Sequence, residues 1–187
     1  MGLLRDNGVA FLVLKAPARV ASLLRSRAYT WMLSRIFDVS GEGVSISYRC
    51  AFQRPRDISI SAGVKIAGSV IFVSEFSGAV AKVCEGVQIC DGVHIDHSGG
   101  LTIGPNSLIS EGVRIYTHSH GHDPRSSPVP LEKKIGGNVW IGVGALVLEG
   151  CRVIVDDVVI AAGSVVTKDI QEKGVYGGVP AKHIAFL

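Results

Sequence analysis

Large rings are scarce in this chain: Phe, Trp and Tyr make up 6% of its 187 residues, although 47% are hydrophobic. A core built around aromatic side chains is therefore excluded. The interior has to be lined by Val, Ile and Ala, which suits a narrow cross-section. Cysteine is also scarce. Cys50, Cys84, Cys90 and Cys151 contain no CxxC pair, and they read as reduced, buried apolar filler in a cytoplasmic protein. A long hydrophobic run is missing. Val9 to Leu14 is cut short by Lys15 and Arg19, well before the ~20 residues a membrane span needs, and its flanks do not make a secretory signal. The length itself predicts one domain.

What the chain does have is an apolar residue that returns every six positions. The count runs Ile58, Val64, Val70, then Val87, Val93, then Ile103, Ile109, Ile115, then Ile135, Ile141, Val147, Val153. Six fits neither an amphipathic helix nor simple strand alternation. It fits a coil of short flat faces that turns after each face and stacks on the next coil, since no single repeat can bury its apolar side alone. Cys84 and Cys90, six apart, then occupy equivalent places on successive faces and do not oppose each other for a disulfide. The 23 glycines are scattered at turn positions and form no low-complexity tract.

Residues 9–37 carry apolar side chains at helical spacing, among them Val20, Leu23, Leu24, Trp31, Leu33 and Ile36, with Pro17 starting or interrupting a segment. The expected organisation is a basic helical cap over 1–42, a β-helix over 43–170 with a protruding loop at 117–134, and a tail over 171–187. Near the C-terminus two registers compete, because Ile154, Ile160 and Val166 continue a count offset by one from Val153. Charge is uneven: residues 1–56 hold nine Lys/Arg against three acids, +6, while the rest holds ten against thirteen, −3. A cap over the open coil end is the favoured use of the helix. Attachment to the inner membrane surface, through an acidic polysaccharide or lipid-linked acceptor, is the alternative. The basic residues form no nucleic-acid-binding motif.

Twenty residues separate Ile115 from Ile135, and much of that polar stretch, HSHGHDPRSSPVPLEKK, lacks the repeat. A loop this long inside a compact repeat is usually functional. Together with IYTHSHGHDP, the segments IGGNVWIGVGALVLEG, AAGSVVTKDI and GGVPAK make residues 85–183 resemble the hexapeptide-repeat acyltransferases, and within them the sugar O-acetyltransferases that act on maltose, galactosides, nodulation factors, capsule or colanic acid. The resemblance implies an all-β, left-handed parallel β-helix, homotrimers with active sites between subunits, acetyl-CoA as co-substrate and no metal requirement.

Acetyl transfer to a hydroxyl needs a base for the alcohol proton, fixed donors for the tetrahedral oxyanion, and little help for the thiolate. By resemblance His120 is the base, and histidine suits that work because its unperturbed pKa of ~6.5 leaves it neutral near pH 7. His118 and His122 are rivals that share its side of an extended segment. Asp96 or His97, in DHSGG, stands where relatives bind the acceptor, with a purely structural turn as the other reading. Trp140 is implied against the pantetheine arm or the acceptor, and the backbone N–H near Gly142 to Val143 as the oxyanion donor, although some relatives carry Ser where this chain has Val143. Ala162, Gly163, Thr167 and Lys168 match the CoA-contacting run. Lys182 stands where relatives often carry Arg or Lys near the CoA phosphate, and a Lys there keeps the charge but loses the bidentate fork of an Arg. The competing readings are N-acetylation of an amino sugar or antibiotic, a γ-class carbonic anhydrase-like zinc enzyme using His94, His97, His118, His120 and His122, and a scaffold without catalysis.

Overall fold

The structure, a computed structural model, describes residues 20–187. The part of the expected helix that precedes residue 20 lies outside the described residues. From residue 38 the chain winds into a parallel β-helix with three faces of six, eight and six strands. Successive coils pair in register. On the second face Ile46, Ile66, Ile89, Ile109, Ile141 and Ile160 form one unbroken ladder. On the third, Phe52, Phe72, Ile95, Ile115, Val147 and Val166 do the same. All but partly buried Phe52 are sealed from water, at about 1.5–3 kcal/mol of burial for each large aliphatic.

Most faces turn two residues inward, two positions apart, as with Val64 and Ile66 or Val139 and Ile141. This explains the broken six-fold count. Ile58, Val64, Val70, Val87 and Val93 belong to the earlier inward position, whereas Ile103, Ile109, Ile115, Ile135, Ile141 and Val147 belong to the later one. The competing registers resolve as well: Ile154, Ile160 and Val166 point inward, while Val153 is only partly buried.

The coil begins before Gly43, because Asp38–Val39 already pairs with Ser59–Ile60. Ahead of it a helix ends at residue 33 and lays Leu33 and Phe37 onto the open end. Phe37 meets Phe52 edge to face at 4.9 Å, Thr30 Oγ1 accepts from Ile46 N–H, and Tyr29 donates to the Cys50 carbonyl. The C-terminal segment forms a hairpin: Gly174–Gly178 adds to the second face and Ala181–Ala185 pairs with it antiparallel. No helix among the described residues is long and apolar enough to cross a membrane.

All four cysteines are free, and burial pushes the Cys50 and Cys151 thiols up to about 11. One inward position is held by a cation. Lys133 continues the ladder Ile58, Ala81, Leu101, is fully buried, and donates from Nζ to the Leu148 carbonyl at 2.9 Å.

Candidate active site

The long loop leaves the coil after the third-face strand Arg114–Ile115 and re-enters at the first-face strand Lys133–Ile135. It closes as a two-stranded antiparallel ribbon, His118–Ser119 against Val129–Pro130. Leu131 N–H bonds the Thr117 carbonyl at its base. Gly99 sits so close beneath that a Cβ there would collide with the Thr117 carbonyl and with the Leu131 nitrogen, so a residue without a side chain is required.

Asp96, at the end of the third-face strand His94–Asp96, organises the loop. It is 1% exposed. Its Oδ1 accepts from the Ser98 N–H and hydroxyl, and its Oδ2 accepts from Thr117 N–H, the Thr117 hydroxyl and His118 Nδ1 at 2.9 Å. Burial alone would raise this carboxyl. The donors from Ser98, Thr117 and His118 outweigh it and hold the group below its ordinary 3.8, so it is an anion at neutral pH. With both oxygens engaged, Asp96 reaches the outside only through His118.

His118 and His120 lie side by side, ring centroids 5.2 Å apart and edge to face. His120 Nδ1 lies 2.9 Å from the Ser126 carbonyl. A carbonyl can only accept, so Nδ1 carries the proton and Nε2 presents a lone pair. The Ser126 hydroxyl in turn donates to the His120 carbonyl. His118 Nε2 faces Glu75 Oε1 at 3.8 Å. His122 is exposed in the turn beyond. His97 turns the other way, fully into the coil, with Nδ1 on the Ala79 carbonyl and Nε2 without a partner among the described residues. It cannot touch a substrate outside the coil.

The other expected residues divide between two corners. Thr167 and exposed Lys168 follow the third-face strand Val165–Val166, on the same corner as the histidine loop. Gly142, Val143 and Ala162 form the corner that precedes the third face, where Gly163 N–H bonds the Val143 carbonyl. Lys182 is exposed on the hairpin opposite Gly177, which packs near Ala161 at that corner. Trp140 stands just before it, half exposed, with Nε1 donating to Ser110 Oγ at 3.0 Å. Gly142 N–H is spent on the Ile160 carbonyl and is not free for an oxyanion. The N–H of Val143, 56% exposed in the following turn, makes none of the described hydrogen bonds, and neither does that of Ala162. The third face, through strands such as Leu146–Val147, separates the two corners. A single chain thus sets His120 beside His118, which bonds Asp96, and carries Thr167 and Lys168 on the same corner two coils further on, while Val143, Ala162, Trp140 and Lys182 belong to the other corner.

Ser98, Thr117 and Ser126 complete this geometry without having been singled out in the sequence, and Glu75 stands beside it, equally unannounced. Ser98 and Thr117 lay inside the noted motifs, DHSGG and IYTHSHGHDP. Ser126 supplies a main-chain oxygen, which no residue type signals. Glu75 comes from the irregular stretch between Val70 and Val87.

No family model matches the chain. It is 37% identical over 142 residues to an Escherichia coli K12 protein named as a lipopolysaccharide biosynthesis O-acetyl transferase, WbbJ, an overlap of 68% of this chain and 72% of that protein. It is 40% identical over 90 residues to the galactoside O-acetyltransferase of the same organism, covering 45% of this chain and 42% of that enzyme. Among solved structures, a variant of AntD, an N-acyltransferase from Bacillus cereus, superposes with a TM-score of 0.72 at 19% identity over 83% of this chain and 87% of that one. The hexapeptide-repeat acetyltransferase VCA0836 from Vibrio cholerae gives 0.59 at 22% identity over 94% and 92%. At such identities the structures speak for the fold alone. The three-faced coil, the histidine loop set into it and the relative matched over most of its length lead to one conclusion: the chain belongs to the hexapeptide-repeat acetyltransferases and is an acyltransferase.

Proposed function

We propose that the protein transfers an acetyl group from acetyl-CoA to a hydroxyl of a sugar or polysaccharide precursor, with His120 as general base. The observation that carries this reading is the bond from His120 Nδ1 to the Ser126 carbonyl, which leaves Nε2 as a fixed proton acceptor on an accessible loop. The names of two relatives, a lipopolysaccharide O-acetyl transferase and a galactoside O-acetyltransferase, support the sugar hydroxyl. Nε2 takes the alcohol proton as the oxygen attacks the thioester carbonyl. The tetrahedral oxyanion then collapses, the C–S bond breaks, and His120 returns the proton to the departing sulfur. A thiol pKa near ~8.5 makes that sulfur a fair leaving group.

Val143 N–H is the oxyanion donor in this scheme, since Gly142 N–H is occupied. Because His120 and Val143 lie on different corners, the complete site needs the loop of one copy against the preceding corner of another. A homotrimer supplies three such clefts. Acetyl-CoA lies in the cleft, its pantetheine arm along Trp140 and Ala162. Thr167 and Lys168 come from one copy and Lys182 from the next, the lysines toward the phosphates. Asp96 is a positioning residue that acts through His118, and His118 Nε2 faces the acceptor.

The test is isothermal titration with acetyl-CoA, wild type against Lys168→Ala, followed by thiol release with a panel of sugars and amino sugars. Micromolar binding at one site per chain, weakened in the variant, and turnover reduced roughly 10²–10⁴-fold by His120→Ala are expected. Absence of binding at millimolar acetyl-CoA would sink the proposal, and turnover with amino sugars alone would replace O- by N-acetylation.

A further inference from the structure

We propose that Glu75, His118 and His120 bind a divalent transition-metal ion of the zinc class, and that an ion held there switches the enzyme off. The site stands on geometry alone, whereas the inhibition rests on His120 being the base. The ligand atoms of the three residues lie within 4.8 Å of one another. Both rings are already held as metal-bound histidines are held. His118 gives its Nδ1–H to the buried Asp96 carboxylate and His120 gives its own to the Ser126 carbonyl, which fixes both tautomers and leaves both Nε2 lone pairs for a ligand.

Glu75 is anchored to the same network. Its N–H bonds Ser98 Oγ at 2.9 Å, and that hydroxyl donates to Asp96. Ligands around a tetrahedral ion with bonds of about 2.1 Å stand about 3.4 Å apart. Glu75 Oε1 is 3.8 Å from His118 Nε2, and its half-exposed side chain is free to close the difference. Two imidazole nitrogens and one carboxylate oxygen, with a fourth position open, favour Zn²⁺, Co²⁺, Ni²⁺ or Cu²⁺ over Mg²⁺ and Ca²⁺. Such an ion would be bound by the Nε2 lone pair that otherwise accepts the alcohol proton, so metal and proton transfer exclude each other. Glu75 takes no part in the transfer itself, and its removal therefore separates the two properties.

The experiment uses untagged, metal-free, full-length protein and Co²⁺ as a spectroscopic probe. Expected are one Co²⁺ per chain with the intense visible bands of a four-coordinate ion, displacement by an equivalent of Zn²⁺, at least ten-fold weaker binding in Glu75→Ala, and no bands in His118→Ala. In acetyl transfer, Zn²⁺ inhibits the wild type and a chelator restores it, while Glu75→Ala keeps the metal-free rate and needs at least ten-fold more Zn²⁺. Absence of bands at millimolar Co²⁺, or bands indifferent to both substitutions, overturns the site. Bands in an enzyme that zinc does not inhibit overturn the switch and the base role of His120 with it. A protein that binds Co²⁺ as described but acetylates nothing leaves the metal site standing and removes only the transferase reading.

Discussion

Lys133→Met is expected to make the protein more stable. The ammonium lies wholly inside the coil, in a ladder whose other members are Ile58, Ala81 and Leu101. Among the described residues no carboxylate is bonded to it, and its one hydrogen bond is to the Leu148 carbonyl. Even after relaxation, keeping an ion away from water costs several kcal/mol. The charge-assisted bond returns about 1.5–3 kcal/mol. Methionine has nearly the same length and no charge, and the Leu148 carbonyl stays satisfied because Cys151 N–H also donates to it. The balance is a gain of about 1–3 kcal/mol at pH 7, read as a higher urea midpoint or a Tm raised by roughly 2–10 °C.

The pH dependence supplies the sharper check. Burial pushes the Lys133 ammonium below its ordinary 10.5. Below its folded pKa the native wild type carries the whole penalty. Between that value and 10.5 the native state sheds its proton before the unfolded chain does, and wild-type stability rises. The advantage of Lys133→Met is therefore largest near neutrality and shrinks as pH climbs toward 10.5. A variant less stable than wild type, or an advantage unchanged across that range, would refute the reasoning.

Three further outcomes follow from the same contacts. Gly99→Ala drives a Cβ into the Thr117–Leu131 bond that closes the loop, so unfolding free energy drops by about 1–3 kcal/mol and thiol release from acetyl-CoA falls at least ten-fold. Asp96→Asn removes a buried anion bonded by Ser98, Thr117 and His118, lowering stability by about 2–4 kcal/mol at pH 7. Because the folded pKa is depressed, wild type has this stabilisation in full above 3.8 and loses it as pH falls through the lower folded value, so urea midpoints of the two proteins converge in acid. Ile141→Ala opens a cavity in the second-face ladder and costs about 2–5 kcal/mol, read by the same denaturation.

The coil was legible because its physics repeats: most faces bury two side chains, and Ile, Val or Ala stands at the majority of those positions. The exact register was not legible, because Val153–Ile154 and Val165–Val166 offer an apolar side chain in either phase, and the earlier and later inward positions both return at six. Lys133 hid for a related reason, standing among charged neighbours in LEKK where a lysine reads as solvated. The histidine loop announced itself by length and composition. Its wiring did not, since Ser126 acts through its main chain and Glu75 arrives from an earlier coil. Asp96 and His97 are adjacent in sequence yet face opposite ways, one toward the loop and one into the core, and only the turn geometry separates them.

The two ends of the coil are finished differently from its middle. A stack of parallel, in-register strands is a template, and an uncovered last coil would invite another molecule to extend it, as open sheet edges do. Here the first coil is roofed by Leu33 and Phe37, and the second face terminates in a strand running the opposite way, which the parallel pattern cannot propagate. Among the described residues, the helix covers one end of the coil and the antiparallel strand closes the second face at the other.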